Sequence, residues 1–172
     1  MFENYITDLK NTSFDDAKDK YLVEVELDCI NFDKYKYDYC KKIGNSGFLK
    51  SVDAVIKKGD KVYFIEFKNS RIDDKLIFEI KAKCYDSILM YFEKTNQTIC
   101  ESRKCFYFIL VTNYGSEPEV VDSLNEIKSK ISMKSSQWDK FVQVFQSFYF
   151  KLVTYKNPDS FNKFLDEEGL LD

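Results

Sequence analysis

The sequence predicts an α/β fold, a mixed central sheet flanked by helices, in a single domain over residues 1–172. Three observations carry that expectation. Two β-rich runs, residues 51–58 and 61–68, are separated only by Gly59-Asp60, the signature of a tight hairpin. Residues 72–94 repeat apolar side chains at helical spacing. Residues 104–112 enclose an unbroken apolar run, 105–111, that suits a strand buried on both faces.

Taken in order, the elements follow from local pattern. Phe14, Ala17, Tyr21, Val25, Cys29 and Phe32 fit a helical stripe while Val23, Val25 and Leu27 alternate; this places a short helix before about residue 20 and a strand after it. The alternating Tyr35, Tyr37 and Tyr39 with Lys34, Lys36, Lys41 and Lys42 read as an ordinary half-exposed strand. In the hairpin, Gly59 suits the first position of a type II′ turn. Ser70 or Asp73 caps the long helix, whose stripe takes in Ile77, Ile80, Cys84, Ile88 and Tyr91. Residues 118–131 form an amphipathic helix through Val121, Leu124, Ile127 and Ile131. A second one carries Trp138, Phe141, Val142, Phe145 and Phe148 behind Ser135 and Ser136. Residues 149–155 form a late strand, and Asn157-Pro158 opens a last helix with Phe161, Phe164 and Leu165 on one side.

Composition narrows the chemistry. The 172 residues include no histidine, which removes serine and cysteine triads, histidine bases and most zinc sites. A metal, if used, must be held by oxygen, and oxygen ligands suit magnesium, manganese or calcium. The five cysteines lack a short paired spacing and the first residues are not basic, so a cytoplasmic protein with reduced thiols is expected. The longest apolar run is residues 105–111, far below the ~20 residues that span a bilayer, so no membrane partner is expected. Net charge is −3. It is uneven: residues 1–33 carry −6, residues 34–83 carry +6 and residues 84–172 carry −3. The basic middle leaves room for a polyanion such as nucleic acid.

A two-residue turn at Gly59-Asp60 pairs Lys58 with Lys61 and, further along, sets Asp53 opposite Glu66. Alternation then puts Asp53, Val55 and Lys57 on one face with Val62, Phe64, Glu66 and Lys68. Val52, Ala54 and Ile56 share the other face with Tyr63, Ile65 and Phe67. Both faces are apolar, so the hairpin is interior and two facing carboxylates repel there. Lys68 offsets part of that charge. A divalent cation held by Asp53, Glu66 and a nearby backbone carbonyl offsets it better.

With Val52-Asp53 on one strand and Glu66-Phe67-Lys68 on its hairpin partner, the sequence resembles the PD-(D/E)XK nuclease superfamily, Val52 standing where the family has proline. The resemblance covers about residues 13–112 and implies a restriction-endonuclease-like fold ordered helix, three strands, helix, strand, with residues 113–172 as an extension. It implies a magnesium- or manganese-dependent hydrolase of DNA or RNA phosphodiesters. Asp53, Glu66 and the Phe67 carbonyl hold the metal in that reading, and Lys68 is the catalytic lysine. Members resembling the RecB branch carry Gln-x-x-x-Tyr on the following helix. Here the string is Lys81-x-x-x-Tyr85, and Lys81 falls within the stripe of Ile77, Cys84 and Ile88, so it is a further candidate for the site, a snorkelling lysine being the plainer account. Glu24 and Glu26, candidates for an additional upstream acid, read as surface residues, and Cys84 as core packing. A different class also fits the acidic balance and the short chain: a nuclease-fold protein that no longer cleaves and binds a protein partner, as an immunity or regulatory protein does.

Overall fold

A computed structural model describes residues 1–44, 48–113 and 137–171. The elements are β1 (Ile6–Asp8), α1 (Leu9–Thr12), β2 (Phe14–Asp15), β3 (Lys20–Tyr21), β4 (Asp28–Asn31), α2 (Phe32–Lys42), β5 (Ala54–Lys58) and β6 (Lys61–Lys68). They continue with α3 (Asp74–Thr95), α4 (Ile99–Cys105), β7 (Phe106–Thr112), α5 over residues 137–148, β8 (Leu152–Lys156) and α6 (Pro158–Glu167). Six strands make one mixed sheet in the order β1-β4-β5-β6-β7-β8. The first three pairings are antiparallel, whereas β6-β7 and β7-β8 are parallel. A parallel neighbour needs a crossover, and α3 with α4 supplies it between β6 and β7. The expected helix over residues 118–131, and Ser135 and Ser136 as caps of the helix after it, lie outside the described residues.

The hairpin has the expected register: Lys58 pairs with Lys61 and Ala54 with Ile65, and Gly59 takes φ +58°. Its two faces divide the interior. Val55, Val62 and Phe64 pack with Phe106 and Phe108 beneath α2, α3 and α5. Ala54, Ile56, Tyr63, Ile65 and Phe67 pack with Ile109 and Val111 against Phe161, Phe164 and Leu165 of α6. Trp138, Phe141, Phe145 and Phe150 are core residues, so the chain beyond residue 137 completes both layers. Among the described residues no helix is long and apolar enough to cross a membrane.

Three local expectations are corrected. The Tyr35-Tyr37-Tyr39 segment is helix α2, not a strand: the Asn31 side chain accepts from the Lys34 N–H at 2.9 Å, and the buried set Phe32, Tyr35 and Cys40 follows the helical period. Alternation of tyrosine with lysine mimicked a strand because only Tyr35 of the three is fully buried, while Tyr37 is 68% exposed. The early helix is one turn, α1, followed by the two-residue strands β2 and β3, and the next strand of the central sheet starts at Asp28. Helix α2 therefore interrupts the strands β4, β5 and β6 instead of preceding all three. Helix α4 was not anticipated, although Thr98 and Glu101 form a capping box.

Long helix α3 is fixed at both ends. The Asp73 side chain accepts from the Leu76 N–H at 2.8 Å, and Asn96 closes the helix in the left-handed region at φ +57°, its N–H donating to the Phe92 carbonyl. The intervening 22 residues carry one face across the hairpin, and that face brings Lys83 to Asp53 and Glu66, Glu79 to Lys68 and Ser87 to the Val52 N–H.

Candidate functional site

The site is made where β5 begins and β6 ends. The ladder bends at Asp53: its N–H donates to the Ile65 carbonyl at 3.1 Å, one residue out of the hairpin register, so the pairing ends at Ala54 and Ile65 and the expected placement of Asp53 directly opposite Glu66 is corrected. Its own carbonyl accepts from the Phe32 N–H at 3.1 Å. Asp53 Oδ2 accepts from the Phe67 N–H at 2.6 Å, so a carboxylate takes the place of a main-chain acceptor and the side chain is held toward β6. The bend also returns Val52 to the face of Val55 and Val62, correcting its expected place beside Ala54 and Ile56. There the Val52 N–H donates to Ser87 Oγ of α3 at 2.9 Å.

Glu66 is fully buried. Its Oε1 lies 2.7 Å from the Lys83 amine and 3.2 Å from the Lys68 amine, while Oε2 is buried with no hydrogen-bond partner. The Lys83 amine also lies 3.3 Å from Asp53 Oδ1, so one ammonium bridges the two carboxylates. Lys68 is nearer the open side, its side chain 25% exposed, and shares its amine with Glu79 of α3 at 3.2 Å. Asp33, in the first turn of α2, borders the group: its Oδ1 accepts from Ser51 Oγ at 2.5 Å and from the Lys36 amine at 2.7 Å.

Burial and charge act against each other here. Burial, then the neighbouring Asp53, pushes the Glu66 carboxyl up to about 8, against the pull of Lys83 and Lys68. Asp53 is raised by burial as well, with Lys83 and the Phe67 N–H opposing. Burial works against the Lys83 charge, but Glu66 and Asp53 outweigh it and hold the amine above the ordinary lysine range. Lys68 behaves alike, burial being outweighed chiefly by Glu66. Burial disfavours the charged form of every one of these groups; for the two ammoniums the facing acids outweigh it, whereas for Glu66 the neighbouring Asp53 adds to it.

Of the residues singled out from sequence, Asp53, Glu66 and Lys68 come together. Lys81 does not: it is half-buried at the flank of α3 and makes no ion pair among the described residues, and Lys83 takes the position expected for it. The buried side of α3 is centred on Leu76, Ile80, Cys84, Ser87 and Tyr91, and at ~100° per residue Lys81 stands roughly 100° from that centre. Tyr85 points elsewhere, against Phe145 and Tyr149 at 4.9 and 5.4 Å between ring centroids. Glu24 is exposed and pairs with Lys10 at 2.6 Å, and Glu26 is exposed too. Cys84 is a core residue whose thiol burial raises well above its usual range. Asp33, Glu79 and Lys83 were missed. Lys83 was legible as the residue three after Ile80 and four before Ser87, once the stripe is centred correctly.

Does the group suit a divalent cation? Among the described residues no cluster of three His, Cys, Asp or Glu forms a ready metal centre. Two carboxylates remain, which is the number magnesium often takes from a protein, the rest coming from water and phosphate. The Lys83 ammonium acts as a stand-in, showing that Asp53 Oδ1 and Glu66 Oε1 reach one cationic centre, and the orphaned Glu66 Oε2 adds a free hard donor. On those grounds the donors fit magnesium or manganese. No protein-family model, no curated protein and no solved structure matches the chain.

Proposed function

We propose that the Asp53–Glu66 pair is the metal site of a nuclease-type phosphodiesterase acting on DNA or RNA. The observation that carries this reading is the convergence of Asp53 Oδ1 and Glu66 Oε1 on a single cation, with the Lys68 amine 3.2 Å from Glu66 on the open side. Asp53, Glu66 and the Phe67 carbonyl are the residues that would hold magnesium, which when bound supplies Lewis-acid and water-activating chemistry. Asp53 is oriented for this by the Phe67 N–H and by the bend at the head of β5. Lys68 is placed to position a water and to stabilise the negative charge that grows on phosphorus oxygens in the transition state. Glu79 holds the Lys68 amine at the mouth until a phosphate takes its place. Position also supports the reading, because open α/β sheets bind ligands beyond the carboxyl ends of their strands and Lys68 ends β6 beside Thr112 of parallel β7.

One observation favours a second reading. Lys83 bridges both acids without any ion, as it would in a nuclease-fold protein that has stopped cleaving and binds a protein partner. Incubating plasmid DNA, single-stranded DNA and RNA with the protein in magnesium, in manganese or in EDTA separates the two. Magnesium-dependent cleavage that disappears in Asp53→Ala and in Lys68→Ala is expected. Absence of cleavage for all three nucleic acids in both magnesium and manganese leaves the binding reading.

A further inference from the structure

Lys83 comes from the middle of α3, a helix anchored at both ends, and its side chain is 11% exposed. Such an amine is not a passing surface contact. It is the cation that Asp53 and Glu66 hold, at 3.3 and 2.7 Å, whenever nothing else is bound. A divalent ion on the same two oxygens sits roughly 2.0–2.6 Å from them. An ammonium left in place would then be within a few ångströms of a double positive charge in a poorly solvated space, which is strongly repulsive. The two cannot share the pair.

We infer that Lys83 is a built-in competitor for the divalent cation, so that metal entry at Asp53 and Glu66 requires release of the Lys83 amine. The inference rests on the metal reading above and adds to it a determinant of affinity. Three features support competition over cooperation. Lys83 contacts Asp53 Oδ1 and Glu66 Oε1, the two oxygens that converge on one cationic centre between the acids. A second lysine, Lys68, already stands at Glu66 toward the open side, so the chemistry does not call on Lys83. Asp33 acts on the Lys83 charge from α2 and offers the released amine a neighbouring acid. The metal-free protein is thereby spared two unpaired buried carboxylates, and the metal must displace a charge-assisted contact to enter.

The test uses Mn2+ as probe on the full chain at one fixed pH, with bound ion measured from the loss of the free-ion paramagnetic resonance signal. Wild type is compared with Lys83→Met, Lys83→Gln, Asp53→Ala and the exposed Lys75→Met on the same helix. Losing the competing contact is expected to tighten Mn2+ binding at least about tenfold in both Lys83 variants. Lys75→Met should match wild type and Asp53→Ala should lose the site. In wild type, acylation of the Lys83 amine, followed by peptide mass spectrometry, should rise at saturating Mn2+; this arm decides the matter if the Lys83 variants fail to fold. Equal or weaker binding in the folded Lys83 variants, or Lys83 labelling that Mn2+ leaves unchanged, overturns the inference while the metal reading stands. If no protein binds Mn2+ in a way that depends on Asp53, the metal reading itself falls and the inference with it.

Discussion

Glu66→Gln removes a charge whose cost depends on pH, and the pH profile of stability reads that cost directly. Burial and the neighbouring Asp53 raise the Glu66 carboxyl from 4.5 to about 8 in the folded, metal-free protein. The folded state therefore binds more protons than the unfolded chain between those values, and the linkage relation makes stability fall as pH rises through that window. Each unit of displacement is worth about 1.4 kcal/mol, so the whole window sets an upper bound of roughly 5 kcal/mol. Asp53 is displaced in the same direction, whereas Lys83 and Lys68, raised above 10.5, contribute nothing that changes below pH 9. Glutamine resembles the protonated acid and carries no such cost. Urea unfolding in EDTA at steps from pH 5 to pH 8.5 should show wild type losing stability relative to Glu66→Gln by several kcal/mol across the range. Parallel profiles, or wild type gaining on the variant as pH rises, would refute the reasoning, since either means that Lys83 and Lys68 outweigh burial and Asp53.

Lys83→Met, without metal at pH 8, leaves Asp53 and Glu66 without their bridging ammonium and should cost about 3–5 kcal/mol, with a smaller loss at pH 5 where the acids can take protons; urea midpoints at the two pH values check this. Phe64 is fully buried against Phe32, Tyr91, Phe106 and Phe150, so Phe64→Ala should destabilise by about 3–5 kcal/mol in the same assay, and a loss below 1 kcal/mol would mean the layer beneath α3 is loosely packed. Asp73→Ala removes the acceptor for the Leu76 N–H at the start of α3 and should cost about 1 kcal/mol, an amount that Asp73→Asn should largely restore.

The parts of the structure legible in the sequence were those set by short-range rules. The Gly59-Asp60 turn fixes its own register as far as Ala54 and Ile65, which brings Asp53 to the strand end that carries Glu66 and Lys68 without any knowledge of the remaining fold. Asp73 and Asn157 announce α3 and α6 because a cap is a bond between near neighbours. Three things depended on distant partners. The tyrosine-lysine alternation of α2 has the period of a strand, and packing of Tyr35 against Phe2 and α3, added to the Asn31 cap, decides for the helix. The bend at Asp53 needs the Phe32 N–H and Ser87 as partners, so Val52 changes face in a way that alternation cannot foresee. Lys81 and Lys83 are two residues apart, and which one meets the acids is a rotation of α3 set by the whole of its buried side, Leu76 through Tyr91.

The most direct measurement is anomalous diffraction from a crystal of the protein soaked in Mn2+. The metal reading predicts one strong anomalous peak roughly 2.1 Å from Asp53 Oδ1 and from a Glu66 carboxylate oxygen, with the Lys83 amine moved off both acids. A map with no peak at Asp53 and Glu66, and Lys83 still bridging the two carboxylates at saturating Mn2+, would contradict it.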